Sequence, residues 1–325
     1  MDWYYKNARD LPWRNNHNPY FIWISEIMLQ QTQVKTVVDY FLSFTHCFPS
    51  IHDLANAKIE DVLLLWQGLG YYRRAINMHH TAKIIVKDYA GQFPTRYNQI
   101  IQLPGIGAYT AGAIASIAFE EPIPAIDGNV KRVISRLFCI KEQQKTNLFS
   151  QKIKKSVQSL IPDHHPGDLN QALMELGATT CLPRLPKCKQ CPLYLLCCAA
   201  FKKKPSLYPK KMSRQKPKKT YLELAIVKKG EHFLLVKRSE KGILAQMWGF
   251  PTIEVGSKNS KGSKIKKLIH QKFDITNLGK PLFIDHVSHT FTHRIWVMAL
   301  FELKTTGIIN NLKIETLWLK KEELA

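Results

Sequence analysis

A chain of 325 residues and 37.5 kDa is long enough for two domains of roughly 150 residues each, and 45% hydrophobic against 22% charged residues excludes a disordered, collagen-like or disulfide-scaffold chain. The 47 Lys and Arg exceed the 25 Asp and Glu for a net charge of +22. That excess calls for a polyanionic partner, nucleic acid first, because basic side chains that neutralise phosphates release condensed counterions. The opening MDWYYKNARDLPWR has no basic stretch followed by an apolar run, and Gly105 to Phe119 is too short and glycine-rich to span a bilayer. A cytoplasmic chain without membrane contact is expected.

Residues 19 to about 138 read as consecutive helices joined by short turns. Val34, Val37, Val38, Phe41 and Leu42 recur at i, i+3, i+4, i+7 and i+8, one buried helical stripe. Ser50 with Asp53 has the form of a capping box, and Gly68 and Gly70 end the run of Ile59, Val62, Leu63 and Trp66. Leu103-Pro104-Gly105-Ile106-Gly107 separates two helical segments. Gly105 and Gly107 permit a tight hairpin whose N–H groups can hold a DNA phosphate, although the same pentapeptide also serves as a plain helical corner. Val130, Val133, Ile134 and Leu137 mark a further amphipathic helix starting just after Asp127-Gly128. Asp127 is thereby its N-cap, a role that also holds a carboxylate ionised and in a fixed direction.

Of seven cysteines, Cys181, Cys188, Cys191 and Cys197 fall within 17 residues, Cys198 adjoins the last, and Cys47 and Cys139 stand alone. In a reducing compartment this clustering favours metal ligation over disulfides, with zinc and an iron–sulfur cluster both open as occupants and Cys198 a spare thiol. From residue 202 to 219 nine Lys or Arg, three prolines and no acid read as a basic linker lying on phosphate. Beyond it the pattern alternates: Leu222, Leu224 and Ile226, a turn at Lys229-Gly230, and a return from His232 to Lys237 predict a β-hairpin. A short helix around Ile265, Leu268 and Ile269 and strand-like runs from Leu282 to Val287 and Phe291 to Phe301 complete a smaller α+β domain.

The helix–hairpin–helix, the aspartate beyond it and the C-x6-C-x2-C-x5-C spacing resemble the base-excision DNA glycosylase superfamily that includes endonuclease III, over roughly residues 1 to 200. Within it the sequence resembles the adenine glycosylase branch. Trp23-Ile24-Ser25-Glu26-Ile27-Met28-Leu29-Gln30-Gln31-Thr32-Gln33-Val34 is similar to that branch's catalytic helix and Gly68-Leu69-Gly70-Tyr71-Tyr72 to its lesion-probing loop. The C-terminal part, with Met247-Trp248-Gly249-Phe250-Pro251 and Phe291-Thr292-His293, resembles the same branch's MutT-like (Nudix-like) domain, but no G-x5-E-x7-R-E-x2-E-E box occurs and pyrophosphate hydrolysis is not expected. The implied architecture is a mainly α glycosylase domain (residues 1–201, cluster loop 181–197), a basic linker (202–219) and an α+β recognition domain (220–325).

The resemblance implies an adenine-specific DNA N-glycosylase of base excision repair, acting as a nucleoid-associated monomer on adenine opposite 8-oxoguanine or guanine in duplex DNA. Glu26 would protonate the leaving adenine. Its helical neighbours Ile22, Trp23 and Leu29 are apolar, and desolvation there raises a carboxyl pKa. Asp127 would stay ionised beneath the sugar and stabilise, or covalently trap, the oxocarbenium-like state, with Asn129 and Tyr109 setting the geometry. Bifunctional relatives carry a lysine where Tyr109 stands, so hydrolysis without strand cleavage is implied. Trp13, Arg14, Leu29 and Glu175 would line the adenine pocket, Gln31 and Tyr71 would wedge into the gap left by the flipped base, and Phe291, Thr292 and His293 would read the partner base. Each of these also fits an ordinary core, surface or strand position. Cys181, Cys188, Cys191 and Cys197 match the spacing of the superfamily's [4Fe-4S] loop. A pyrimidine glycosylase/lyase like endonuclease III, or a non-catalytic iron–sulfur DNA-binding or redox-sensing protein, is the alternative.

Overall fold

The computed structural model describes residues 1–14, 16–210, 217–239, 242–273, 275, 277–291, 293–307 and 315–324. It falls into two compact units, Met1–Ser213 and Arg214–Ala325. The first is helical: α1 (Asp2–Asn7), α2 (Pro19–Met28), α3 (Val34–Cys47), α4 (Ile51–Asn56), α5 (Ile59–Leu65), α6 (Arg73–Asp88), α7 (Tyr97–Ile100), α8 (Ala108–Phe119), α9 (Gly128–Leu137), α10 (Asn147–Gln158), α11 (Pro166–Thr179) and α12 (Cys198–Phe201). Among the described residues no helix is long and apolar enough to cross a membrane.

Two hydrophobic cores divide this unit. Helices α2 to α8 close around Trp23, Ile24, Met28, Phe44, Trp66 and Ile114, whereas α9, α10 and α11 bury Val130, Ile134, Phe149, Ile153 and Leu176 in a second core. Helix α2 starts where Pro19 lacks an N–H to leave unpaired and the Asn18 side chain accepts from the Tyr20 N–H at 2.9 Å. Every α2 residue from Ile22 to Met28 is buried, so the helix carrying Glu26 runs through the core instead of over it. The Ser50–Asp53 capping box forms as the sequence predicts, with bonds of 3.3 and 3.0 Å. Helices α7 and α8 flank the hairpin, where Gly105 takes a left-handed φ of 78°.

Helices α1, α10 and α11 extend beyond the helical stretch read from the sequence. Helix α11 is diluted by Gly167 and Gly177, whose value is close approach: a Cβ on Gly177 would stand 2.5 Å from Asn129 Cβ. One expectation about cysteine is overturned. Cys198 is no spare thiol but is bonded to Cys139, 59 residues away, with the Cα atoms 5.7 Å apart. Cys139 follows α9 with φ of 50°, and a pairing at that separation leaves no mark on local spacing.

Part of the stretch read as linker is folded onto the first unit. The Pro205 and Tyr208 carbonyls accept from Arg136 Nε at 3.0 and 3.2 Å, and Lys210 O accepts from the Gln144 N–H at 3.0 Å. Residues 211–216 lie outside the described residues, and Lys218 and Lys219 already belong to the first strand.

The second unit is a seven-stranded mixed sheet backed by a helix: β1 (Lys218–Lys229), β2 (His232–Lys237), β3 (Trp248–Gly249), β4 (Thr252–Val255), α13 (Ser263–Phe273), β5 (Leu282–Thr290), β6 (Arg294–Lys304) and β7 (Thr316–Lys320). The β1–β2 hairpin turns at Gly230, as read from the alternation, and β1 pairs in parallel with β6 from Lys218↔Arg294 to Lys228↔Lys304. Ile265, Ile269 and Phe273 of α13 pack on Ala225, Val227, Phe301 and Leu303 of the sheet. Glu223, fully buried on β1, accepts from the Gly262 and Ile265 N–H groups at 3.0 and 2.7 Å and so caps α13 from beneath. Phe291 and His293 sit in the turn between β5 and β6 instead of continuing a strand. Thr292 lies outside the described residues.

Candidate active site

A cavity of about 560 Å³ opens in the helical unit, lined from both cores. Helix α2 supplies Glu26, the chain after it Leu29 and Gln31, α8 supplies Tyr109, the start of α9 Asp127 and Asn129, and α11 supplies Met174 and Glu175. Trp13 and Arg14 complete the wall from the segment before α2. Nine residues expected at the site therefore meet around one space.

Glu26 is 7% exposed and its Oε2 is buried without a hydrogen-bond partner. Burial pushes its carboxyl up to about 7; the Tyr109 hydroxyl bond opposes the rise, the Asp127 charge adds to it, and Arg14 opposes it. A carboxyl so placed keeps a proton near neutrality and has one oxygen directed at nothing in the protein. Tyr109 is held well above its usual value by burial and by Glu26 and Asp127, so it stays a neutral donor, with its hydroxyl 3.5 Å from Met174 Sδ.

Asp127 is the N-cap of α9: one oxygen accepts from the Val130 N–H and the other from Asn129 Nδ2, each at 2.7 Å. Burial lifts its carboxyl above the usual value, against the pull of these bonds and of Arg132. Arg132 extends the chain of contacts. Its guanidinium donates to Asn129 Oδ1 at 2.8 Å, to Gly177 O at 2.7 Å and to Cys181 O at 2.8 Å, so Asn129 is fixed from behind.

On the opposite wall Glu175 is fully buried between two arginines, Arg9 Nε at 2.7 Å and Arg14 Nη2 at 2.6 Å. Burial alone would raise its pKa, but the bonds from Arg9 and Arg14 outweigh that and hold the carboxyl below its ordinary range. Arg9 also donates its backbone N–H to the same oxygen at 3.2 Å. Arg9, Arg132 and Met174 went unread in the sequence. Their partners lie 166, 49 and 65 residues away, and only the two basic residues bracketing Asp10-Leu11-Pro12-Trp13 hinted at the first.

The remaining residues stand elsewhere. Tyr71 lies outside the cavity, half-exposed, with its ring 5.7 Å from the Arg74 guanidinium. Gly105 and Gly107 are exposed in the hairpin, and nothing would meet a Cβ on Gly107 within 4 Å. In the second unit Phe291 packs its ring 4.5 Å from His289 and 4.9 Å from Trp296, with His293 exposed beside it. Cys181, Cys188, Cys191 and Cys197 line a separate small cavity of about 30 Å³ with Arg136. Among the described residues no three His, Cys, Asp or Glu side chains are placed to hold one metal ion. Arg136 is buried and donates to Cys181 Sγ at 3.3 Å and to the Cys181 and Leu182 carbonyls at 3.3 and 2.7 Å. Arg184, Lys187 and Lys189 of the same loop face solvent.

Comparison with known proteins adds an independent line. The model of the HhH-GPD superfamily of base excision DNA repair proteins matches residues 24–159, and that of the NUDIX domain matches residues 223–325. The adenine DNA glycosylase of Buchnera aphidicola subsp. Schizaphis graminum is 37% identical over 327 residues, 96% of this chain and 92% of the relative. That of Homo sapiens is 33% identical over 99% of this chain and 70% of its own length. Among solved structures, a thermostable thymine-DNA glycosylase superposes with a TM-score of 0.57 at 29% identity, covering 62% of this chain and 93% of that one. A non-covalent endonuclease III–DNA complex shares the fold of the helical unit, with a TM-score of 0.53 at 23% identity over 62% of this chain and 93% of that one.

Proposed function

The chain belongs to the adenine DNA glycosylases of the helix-hairpin-helix base excision repair superfamily, and from that premise we propose that it releases adenine paired with 8-oxoguanine or guanine in duplex DNA. As a DNA N-glycosylase it hydrolyses the bond between base and deoxyribose. The observation that carries the assignment of chemistry is the buried carboxyl pair: Glu26 with an unpartnered Oε2 and Asp127 fixed by two hydrogen bonds, around one cavity.

Glu26 gives its proton to a ring nitrogen of the extruded adenine as the glycosidic bond breaks, turning a poor leaving group into a neutral one. Asp127, held rigidly, faces the positive charge that develops on the sugar. Water adds at the sugar carbon, and Glu26, now ionised, takes its proton. Tyr109 offers no amine for a Schiff base with the sugar, so the reading is hydrolysis without strand scission. Trp13 and Leu29 give the pocket apolar walls, and Glu175, neutralised by Arg9 and Arg14, anchors its rim. Single-turnover assays on an 8-oxoguanine:adenine duplex, with and without alkali, test this directly. Product only after alkali is the expected result; strand scission without alkali, or no base release, overturns the reading.

Cys181, Cys188, Cys191 and Cys197 suit a [4Fe-4S] cluster: the donor set is four thiols with no histidine or carboxylate, and a polynuclear cluster spreads its ligands around a core instead of converging them on one ion. Bound there, the cluster would supply an inorganic cross-link for the loop. The purified protein is expected to be yellow-brown with broad visible absorption from iron–sulfide charge transfer. Colourless active protein with stoichiometric zinc and no iron would refute this.

Recognition of the partner base is assigned to the turn carrying Phe291 and His293, where an aromatic ring braced by Trp296 stands beside an exposed imidazole. 8-Oxoguanine differs from guanine by one oxygen and one proton at the base edge, which a placed hydrogen bond distinguishes by about 1 to 3 kcal/mol, roughly ten- to a hundredfold. Phe291→Ala with His293→Ala is therefore expected to lower the preference for 8-oxoguanine:adenine over guanine:adenine by roughly that factor, more than it lowers the cleavage rate at saturating enzyme. An unchanged preference would move recognition wholly to the helical unit.

A further inference from the structure

Arg74, in the first turn of α6, joins two segments that are far apart in sequence. Its Nη1 donates to the carbonyls of Ile27, Met28 and Gln30 at 2.8, 2.9 and 2.7 Å, at the C-terminal end of α2. Its Nη2 donates to the carbonyls of Leu69 and Gly70 at 3.2 and 3.1 Å and reaches Thr32 Oγ1 at 3.4 Å. The face of the guanidinium lies over Trp66 at 5.2 Å and Tyr71 at 5.7 Å.

Two of the gripped carbonyls, Gln30 and Gly70, belong to the residues immediately before Gln31 and Tyr71. Those two are the side chains assigned to the gap left by the flipped base, and both hold left-handed backbone, φ 61° and 51°. L-residues seldom occupy that region, and they stay there only when neighbouring contacts over-determine it. One planar fork supplies such contacts to both at once. A lysine ammonium, a point charge with three tetrahedral donors, cannot reproduce the planar fork that gives one nitrogen to the three carbonyls of the first segment and the other to the two of the second.

We propose that Arg74 is a positioning residue for base extrusion, clamping Gln31 and Tyr71 into one rigid wedge so that the end of α2 and the loop before α6 enter the duplex together. The proposal rests on the reading of Gln31 and Tyr71 as the wedge. It separates Arg74 from the chemistry: Arg74 does not line the cavity that holds Glu26 and Asp127, so its loss acts on the step before bond cleavage.

The test uses the full chain and a duplex with 2-aminopurine beside the target adenine, whose fluorescence rises on extrusion, followed by stopped flow. A second duplex places the adenine opposite an abasic site, where little unpairing is needed. Arg74→Lys is expected to slow extrusion on the paired duplex roughly ten- to a hundredfold, as loss of charged hydrogen bonds implies. The rate of base release from the second duplex should stay near that of the unsubstituted protein. In a Gln31→Ala, Tyr71→Ala background Arg74→Lys should add nothing to the slowing. Equal losses on both duplexes, or full additivity, would show a merely structural arginine and overturn the clamp. Normal extrusion by Gln31→Ala, Tyr71→Ala would instead refute the wedge reading beneath it. Should Arg74→Lys fail to fold, Thr32→Val removes only one acceptor; a two- to fivefold slowing confined to the paired duplex is expected, and no change overturns the proposal.

Discussion

Replacing Glu26 with glutamine is expected to slow adenine release by roughly 10²- to 10⁴-fold while mispair binding persists. Glutamine keeps the size and hydrogen-bonding shape of the side chain, so the buried site in α2 and the bond from Tyr109 have no steric reason to rearrange. What disappears is a proton held at a carboxyl raised to about 7 by burial. The pH profile carries the sign. In the unsubstituted protein the acid is protonated below about 7, so the single-turnover rate should fall as pH rises through that value, whereas Glu26→Gln should show no such fall. Stability follows the same shift. The unfolded carboxyl titrates near 4.5, so the favourable contribution of protonated Glu26 is fully present below that pH and is lost as pH rises through about 7. Glu26→Gln should therefore flatten this part of the stability curve. Appreciable base release by the variant in a rapid-quench assay would remove Glu26 from the acid role.

The parts of the site legible in the sequence are those written locally. The N-cap at Asp127 ahead of a helical stripe lies within one element, as the capping box at Ser50 and Asp53 does in the scaffold around it. Glu26 was singled out by resemblance; its apolar helical neighbours pointed to burial, and the structure buries that whole turn. What escaped depends on packing between distant segments. Resemblance brought Glu175 to the pocket, but its buried pairing with Arg9 and Arg14, more than 160 positions away, leaves no local mark in the sequence. Gly177 looks like a weakness in α11 until Asn129 is found against it. The parallel register of β1 with β6 joins strands separated by a helix and four intervening strands, and alternation alone cannot choose that partner. Phe291 shows the converse error: period-two alternation continues through it, yet the chain turns there, with the Phe291 N–H donating back to Arg294 O at 2.8 Å.

Asp127 offers the sharper separation of scaffold from chemistry, because its two roles respond oppositely to two substitutions. As the N-cap of α9 it satisfies the Val130 N–H, and asparagine caps as well as aspartate does, whereas alanine loses about 1 kcal/mol. If capping were the whole of its role, Asp127→Asn would keep most activity and Asp127→Ala would lose only what the lower stability takes away. If the carboxylate stabilises positive charge on the sugar, the neutral amide removes that field whatever its shape, and a preorganised electrostatic group of this kind is worth roughly 10²- to 10³-fold. Asparagine also turns a donor toward Asn129 Nδ2, which at present donates to Asp127 Oδ2 at 2.7 Å, so that bond is lost unless the Asn129 amide flips, and the Arg132 contact to Asn129 Oδ1 opposes the flip. The expected pattern is accordingly a nearly unchanged melting temperature for Asp127→Asn, a lowered one for Asp127→Ala, and a loss of at least 10²-fold in single-turnover rate for both. Activity that tracks melting temperature across the two variants would leave Asp127 as a cap alone.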